Sequence, residues 1–480
     1  MESQSQQQAD LAYLPATEQL RLFRARELSP VEVLEAQVAR ADALASSVNA
    51  LTWRCTEEAT RQAKDAEGRY LGRGDAPRAL EGITLAMKEE MPVAGQPITS
   101  ASLIYADAIA DHTSPMAQRL LDAGAIIHAR STQPEFACAA ITQSHLFGVT
   151  RNPWNLNFDV GGSSGGAGAA LAAGLTTLAT GSDIAGSIRI PSACCGVVGF
   201  KPPYGRVPQS PPFNLDHYCH DGPMARTVGD CAIFENAISG VWAGDIASLR
   251  ERVVIPGELP GIEGLSIALS LDLGDWELDD DVRANTLRAA EALRAAGAVV
   301  EEVDFRIDKA KLFEAARTHY ASIFGPYVGG LLEEHRDKMT SYAIDFGEIC
   351  AAVAPGEFLA GLEIEGEITA SLGALLEHYD ALICPTLSVP ALPVDTPWSP
   401  VPQATNLHDV PLGHVMTMPF NVASRCPVLS VPSGFSRDGV PTSVQLVGRT
   451  FDDVTSFRLG AALERAGLWD YTTMRPVLGV

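Results

Sequence analysis

Two glycine-rich segments and one lysine hold the residues of this chain that could form a nucleophilic site. The first segment is Gly161-Gly162-Ser163-Ser164-Gly165-Gly166, and the second ends at Ser187, 24 residues after Ser163. Lys88 follows directly on the apolar run 82–87. A serine hydroxyl is a weak nucleophile until a base removes its proton, and a neutral lysine amine can be that base. The pattern therefore predicts a nucleophilic serine that needs no histidine.

The first segment by itself fits three different structures equally well. It contains the pattern Gly-x-Ser-x-Gly twice, centred on Ser163 and on Ser164, which is typical of the nucleophile turn of α/β-hydrolases. A flexible turn or an anion-binding loop has the same composition. Phosphate binding is disfavoured because Ala-Gly-Ala-Ala follows, rather than Gly-Lys-Ser or Gly-Lys-Thr. The interpretation therefore depends on Ser163, Ser187 and Lys88 acting together, with Ser164 bracing the loop.

Further short motifs occur in a fixed order along the chain. They are Asn152-Pro153-Trp154, Ser187-Ile188-Arg189, Cys195-Gly196-Val197-Val198-Gly199-Phe200-Lys201-Pro202, Gly222-Pro223-Met224-Ala225-Arg226-Thr227-Val228, Cys384-Pro385-Thr386 and Phe420-Asn421-Val422.

With these motifs the chain resembles the amidase signature enzymes, serine hydrolases that cleave C–N bonds with a Ser–cis-Ser–Lys triad. The resemblance runs from about residue 29 to residue 448 and is densest at 151–207. It implies that Ser187 is the nucleophile, Ser163 the bridging serine and Lys88 the base. It also implies a large central sheet with helices on both faces, an active site at one sheet edge, and no metal or other cofactor.

The resemblance places the oxyanion hole at the consecutive backbone N–H groups of Ile184, Ala185, Gly186 and Ser187. Each such donor stabilises the transition state by roughly 3–4 kcal/mol in comparable sites. The family commonly has glycine at the position of Ala185, and a methyl group fits there only if φ is negative. Asp183 and Arg189, on either side of this segment, are expected to brace it as an ion pair.

Glu89 and Glu90 follow the lysine directly, where the family more often has Asp-Asn. Side chains alternate between the two faces of a strand, so Glu89 is expected to point away from Lys88 and Glu90 towards it. A carboxylate facing the amine would stabilise the ammonium form and weaken the base.

Four residues are candidates for substrate binding: Phe136, Gln143, Phe213 and Tyr218. The first two follow a stretch that lines the pocket in relatives, and the last two lie in a loop that reaches the pocket if the family geometry holds. Exposed loop aromatics can equally cover the core. In the same loop His217 and His220 lie near Asp216 and Cys219 in a faintly metal-like cluster, for which a polar loop beside the active site is the preferred interpretation.

Apolar runs with β-branched residues predict buried strands, and Ala- and Leu-rich segments between them predict helices. The strands are expected at 83–87, 125–129, 197–200, 265–269, 381–384, 428–431 and 443–447, and helices at 282–296 and 457–466. The stretch 167–179 is expected to be one buried helix, and Ser29-Pro30-Val31-Glu32 to begin another with a capping box.

This alternation predicts an α/β fold: a single large domain over residues 1–480, with a central mixed β-sheet covered on both faces by helices. Within it we expect N-terminal helices over about 1–75 and a signature core over 76–240. A variable substrate-side segment over 240–400 and C-terminal core strands with a helix over 400–480 complete the domain.

The net charge and the cysteine content of the chain limit which partners and which cellular compartment are expected. The net charge of −24 disfavours nucleic acid and anionic membranes. The first six residues lack the features of a signal peptide, and no apolar run reaches the roughly 18 residues of a membrane span. The nine cysteines contain no Cys-x-x-Cys pair, which fits a reducing cytoplasm, and Cys194 and Cys195 are expected to be buried. A monomer or homodimer acting on a small molecule is expected.

Four functions of different classes remain open. The first is an amidase that hydrolyses a small or medium amide, or a carbamate (urethane), through an acyl-enzyme on Ser187. The second is the glutaminase subunit of a tRNA-dependent amidotransferase, against which the departures at Glu89-Glu90 and Ala185 count. A non-catalytic binding module is disfavoured because Lys88, Ser163 and Ser187 are all retained, and a Ser-His-Asp esterase would need a histidine beside the nucleophile.

Overall fold

Short apolar segments form the strands of one large sheet in the computed structural model, which describes residues 10–351, 353–396 and 412–479. The first six residues, discussed above for their lack of a signal peptide, lie outside these ranges, as does the start of the proposed C-terminal segment at 400. The strands are β1 (Leu51–Arg54), β2 (Thr84–Lys88), β3 (Ile126–Ser131), β4 (Gln143–Ser144), β5 (Gly148–Val149), β6 (Leu178–Asp183), β7 (Val198–Lys201), β8 (His220–Ala225), β9 (Ser266–Leu269), β10 (Val299–Glu302), β11 (Ala381–Pro385), β12 (Val428–Phe435) and β13 (Pro441–Gly448).

Within the described residues, eleven strands form one sheet in the order β1-β3-β2-β6-β8-β7-β12-β13-β11-β9-β10. Strand β2 runs parallel to both β3 and β6, and β9 runs parallel to β10 and β11, whereas β12 pairs antiparallel with β7 and β13. Every residue of β2, β11 and β13 is buried. Since successive side chains point to opposite faces, helices must cover the sheet on both sides. The predicted mixed-sheet α/β class is confirmed.

The helices connect these strands and flank the sheet. They are α1 (Ala16–Ala25), α2 (Pro30–Val48), α3 (Thr56–Tyr70), α4 (Pro115–Asp122), α5 (Gly165–Ala172), α6 (Arg189–Cys195), α7 (Val228–Ile238), α8 (Asp280–Ala295), α9 (Lys309–Ile323), α10 (Gly325–Gly329), α11 (Leu332–His335), α12 (Ser341–Cys350), α13 (Pro355–His378), α14 (Pro419–Val422) and α15 (Asp453–Arg465). Among the described residues, no helix is both long and apolar enough to cross a membrane.

The strands and helices predicted from apolar runs are found, but the stretch 167–179 is not one helix. Helix α5 ends at Ala172, Gly174 adopts φ +68°, and strand β6 begins at Leu178. A glycine in the left-handed region ends a helix with little strain, and the β-branched Thr176 and Thr177 then favour extended backbone. The correction matters because β6 leads directly into the loop that carries Ser187.

A close approach between α5 and the end of β3 sets the position of the Ser163-Ser164 loop. The Gly166 N–H donates to the Thr132 carbonyl at 3.1 Å. A Cβ atom on Gly166 would lie 2.3 Å from both the backbone nitrogen and the hydroxyl of Thr132. Only glycine allows this helix to lie against the sheet so closely.

Replacing Gly166 with alanine is therefore expected to lower the free energy of unfolding by about 1–3 kcal/mol, the usual cost of an extra methyl group in a packed core. Gly366→Ala is the matched control, because Gly366 lies in α13 and its Cβ would meet nothing within 4 Å. That control is expected to be neutral or slightly stabilising, since alanine is the better helix former. Thermal unfolding of the two variants checks both; an unchanged midpoint for Gly166→Ala would contradict the packing argument.

Candidate active site

Lys88 ends β2 and is completely buried. Its amine donates hydrogen bonds of 2.7 Å to the hydroxyls of Ser163 and Ser182, and it lies 2.9 Å from a carboxylate oxygen of Glu90. The structure thus brings Lys88 and Ser163 into contact. It also places Glu90 beside the amine, on the side of the strand that alternation predicts. Ser182 was not anticipated; its position one residue before Asp183 in β6 carries no local signal of this contact.

The Ser163-Ser164 loop lies between β6 and the loop that carries Ser187. The peptide bond between Gly162 and Ser163 is cis. The Ser164 N–H donates to the Ser187 carbonyl at 3.1 Å, and the Ser182 N–H donates to the Ser164 hydroxyl at 3.3 Å. Ser164 thus joins its loop to the Ser187 loop through its backbone and to β6 through its side chain, as expected of a bracing residue, while Ser163 faces the lysine.

Ser187 lies between the end of β6 and the start of α6, and a buried ion pair holds this turn. The Arg189 guanidinium donates two hydrogen bonds of 2.9 Å to the Asp183 carboxylate, and neither side chain is exposed. Burial alone would raise the pKa of Asp183, but the Arg189 charge and the hydrogen bonds from Arg189 and Asn421 hold it well below its usual range. The predicted ion pair is present, and it remains charged.

The turn also fixes the peptide groups before Ser187. The Gly186 N–H, one of the four groups predicted for the oxyanion hole, donates to Asp183 at 2.8 Å. The Ile184 carbonyl accepts from the Tyr320 hydroxyl at 3.0 Å, and the Ala185 carbonyl accepts from the Thr417 hydroxyl. The φ angle of Ala185 is not positive, so its methyl group causes no strain.

An apolar pocket opens beside Ser187, with an empty volume of about 650 Å³ that includes the part open to solvent. Its walls come from Gly162, from the turn around Ser187, from the segments 137–140 and 412–418, and from the 309–350 region. The wall residues are Ala137, Cys138, Ala139, Ala140, Gly162, Ile184, Ala185, Ser187, Ile190, Tyr320, Phe324, Phe346, Ile349, Leu412, Val415 and Met418. No side chain in this set is charged.

The four residues expected to bind substrate lie outside this set. Phe136 is buried against the rings of Tyr105 and Tyr327, one residue before the wall begins. Phe213 packs against Phe324, which is itself in the wall.

Gln143 lies in β4, where its carbonyl accepts from Tyr342 at 2.6 Å. Tyr218 is buried and donates its hydroxyl to Glu365 at 2.9 Å. The aromatic wall residues Tyr320, Phe324 and Phe346 were missed because nothing in their local sequence marks them as facing a pocket.

Behind Tyr320, a charged cluster joins the 213–219 loop to helices α9 and α13. His319 contacts Asp216 at 2.7 Å and Glu365 at 3.4 Å, and its ring stacks on Tyr218 with centroids 3.7 Å apart. Burial opposes the charged imidazole, but the hydrogen bond to Asp216 and the nearby Glu365 carboxylate raise the pKa of His319 to about 9. The cluster is therefore a buried imidazolium between two carboxylates.

The metal-like grouping noted in the sequence is different in the structure. Asp216, His217 and His319 bring possible ligand atoms within 4.8 Å of one another. His220 is not part of this group; it begins β8 and lies 3.1 Å from the Ser424 carbonyl. The preferred interpretation, a polar network beside the active site, agrees with the hydrogen bond between Asp216 and His319.

Comparison with known proteins identifies the family to which this chain belongs. The amidase family model matches residues 32–456. An acylamidase of Rhodococcus erythropolis is 32% identical over 474 residues, covering 96% of this chain and 97% of the relative. One of the subunits of the glutamyl-tRNA(Gln) amidotransferase of Geobacillus kaustophilus is 31% identical over 488 residues, covering 95% of this chain and 97% of the relative.

The crystal structure of a bacterial aryl acylamidase of the amidase signature family superposes with a TM-score of 0.88 at 27% identity, covering 95% of this chain and 97% of that one. The chain belongs to the amidase family. It is a hydrolase that acts on amide C–N bonds, and the resemblance noted in its motifs is confirmed.

The His319 cluster makes stability depend on pH in a defined direction. Because the folded-state pKa of about 9 lies above the unfolded value of about 6.5, the charged His319 stabilises the fold fully below pH 6.5. That contribution, about 3 kcal/mol, is lost as the pH rises through about 9. Urea unfolding at pH 7 and pH 10 is expected to show the loss in the wild type. His319→Gln should flatten this dependence, whereas the surface variant His335→Gln should keep it; equal slopes in all three proteins would refute the assignment.

Proposed function

We propose that the protein hydrolyses small amides with an apolar acyl or aryl group through an acyl-enzyme on Ser187. Lys88 and Ser163 act as the proton relay. Aryl carbamates (urethanes) form a second candidate class, since they also join a carbonyl carbon to a nitrogen leaving group. An acylamidase and an aryl acylamidase are among the similar proteins, in agreement with this substrate class.

The observation that carries the proposal is the apolar lining of the pocket beside Ser187. Among the described wall residues, the polar groups are the hydroxyls of Ser187 and Tyr320, the Cys138 thiol and the backbone, and none is charged. Apolar and aromatic surface binds an apolar substrate by removing both surfaces from water. A glutamine substrate would bring a carboxylate and an ammonium group into these walls, and burying unpaired charges is costly. This disfavours the amidotransferase alternative, despite relatives at similar identity.

In the proposed mechanism the Ser187 oxygen attacks the substrate carbonyl carbon. The Ser187 proton passes to the Ser163 oxygen, and the Ser163 proton passes to the neutral amine of Lys88. The 2.7 Å contact between Lys88 and Ser163 supports the last transfer. A tetrahedral intermediate with a negative oxygen and an ammonium group on Lys88 results.

The negative oxygen needs donors that do not have to reorganise. The backbone N–H groups of Ile184, Ala185 and Ser187 are proposed for this role, because that of Gly186 already donates to Asp183. When the C–N bond breaks, the relay runs in reverse and Lys88, through Ser163, protonates the departing nitrogen. Water then attacks the acyl-enzyme with the same relay, which returns Ser187 to its starting state.

A panel of substrates tests this proposal. We expect anilides and aryl carbamates with apolar acyl or alkoxy groups to be hydrolysed with the highest kcat/KM, and free glutamine with the lowest. Ser187→Ala should remove nearly all turnover on every substrate while leaving the unfolding midpoint unchanged, because a single hydroxyl is lost. Turnover by Ser187→Ala at the wild-type rate would overturn the nucleophile assignment, and a preference for glutamine would overturn the substrate class.

The leaving group distinguishes the two roles of Lys88. A departing amine must be protonated, whereas an activated aryl ester loses a stable phenolate and needs little acid assistance. Lys88→Ala is therefore expected to lose at least tenfold more kcat/KM on an anilide than on the ester with the same acyl group. The difference between the two losses measures transition-state stabilisation at the nitrogen. Equal losses would show that Lys88 only deprotonates the serine or holds the loops in place.

A further inference from the structure

The amine of Lys88 donates hydrogen bonds to two serines that lead in different directions. Ser163 belongs to the loop that is joined to the Ser187 loop. Ser182 lies between the amine and Glu90, and the Glu90 carboxylate accepts from the Ser182 hydroxyl at 2.5 Å. The direct distance from the amine to Glu90 is 2.9 Å. An ammonium group has three donor hydrogens, and these three oxygens match them in number. The lysine is buried, while the side chain of Glu90 is 26% exposed.

We propose that Glu90 is a positioning residue that acts on the reaction through Lys88; this inference rests on the proposed role of Lys88 as base. Its carboxylate is the counter-ion of the ammonium form, with the neutral Ser182 hydroxyl bridging the two groups, and it sets the pH at which the neutral, reactive amine forms. Glu90 is not among the described wall residues of the pocket, so its effect on turnover is expected to pass through the lysine.

Other titratable groups near this pair do not replace Glu90. Glu89 points the other way and accepts hydrogen bonds from the Thr99 hydroxyl at 2.7 Å and the Ala101 N–H at 3.2 Å, with Arg130 as its charged neighbour. Burial, followed by the charge of Glu90, raises the pKa of Asp221 on β8 to about 7, and burial raises the pKa of the Cys219 thiol well above its usual value. Among the described residues, Glu90 is therefore the carboxylate in direct contact with the Lys88 amine, whereas Asp221 acts on it only through its charge.

The direction of the effect follows from Coulomb attraction. A carboxylate within about 4 Å of an amine favours the ammonium form and typically changes the pKa by about 1–3 units. Removing that charge while keeping the shape of the side chain lets the neutral amine form at lower pH. The rising limb of the plot of kcat/KM against pH should then shift to lower pH by about one unit or more. At a pH below the wild-type limb, kcat/KM on an anilide should increase about tenfold for every pH unit by which the limb moves.

The experiment measures kcat/KM on an anilide from pH 5 to pH 10 for the wild type, Glu90→Gln and Glu90→Asp. Glu291→Gln is the control, because Glu291 is exposed and pairs with Arg294 on the surface, so the same loss of charge should leave the limb in place. Glu90→Asp keeps the charge with a shorter reach and is expected to give a smaller shift in the same direction. It also provides the test if Glu90→Gln folds poorly.

A rising limb that stays at the same pH or shifts to higher pH in the Glu90 variants would overturn the inference. A merely structural role for Glu90 would lower kcat/KM equally at every pH, without moving the limb. The pH dependence of Ser187 labelling by a sulfonyl fluoride gives a second readout that does not require turnover. Full turnover by Ser187→Ala would defeat the proposed function itself, whereas an unmoved limb in a Glu90→Gln protein that still depends on Ser187 defeats only the role of Glu90.

Discussion

The buried ion pair between Asp183 and Arg189 is the interaction on which the candidate site depends. Arg189 also donates to the Thr417 carbonyl at 2.9 Å, to Gln445 at 3.0 Å and to Asn421 at 2.7 Å. The pair therefore joins the turn before Ser187 to α14 and to β13 near the middle of the sheet. Removing one partner of such a pair leaves an uncompensated buried charge, at a cost of about 3–5 kcal/mol. The position of Ser187 is thus as rigid as the core beneath it.

Polar and apolar functions are separated within the site. The charged and hydroxyl groups around Lys88 come from β2, β6 and the Ser163-Ser164 loop, all part of the central sheet or directly attached to it. The apolar wall comes from residues 137–140, from the turn around Ser187, from four side chains of the 309–350 region and from residues 412–418. A low-dielectric wall beside a compact polar group strengthens every electrostatic interaction within it. Substrate binding and proton transfer can therefore work side by side without competing for the same side chains.

The sequence was sufficient where local signals were strong. Strands such as β12 and β13 carry Val and Leu residues and are buried almost throughout, and the Ser29 capping box is present as predicted. Strand β8 was missed because His220-Asp221-Gly222-Pro223 looks like a turn, and pairing with β6 and β7 overrides that tendency. The contact between Lys88 and Glu90 followed from strand alternation. Ser182, Tyr320 and Phe346 were not found, because their roles arise from contacts between segments far apart in the chain.

Four of the wall side chains, Tyr320, Phe324, Phe346 and Ile349, come from one short region of the chain, and this has a consequence for substrate preference. Phe324 and Phe346 contribute surface to the pocket but make no contact with Lys88 or Ser163 among the hydrogen bonds and ring contacts of the described residues. Mutations in this region can therefore alter which molecules enter while the inherited chemistry stays intact. Substrate preference can then change at these two positions without altering the residues proposed for the proton relay.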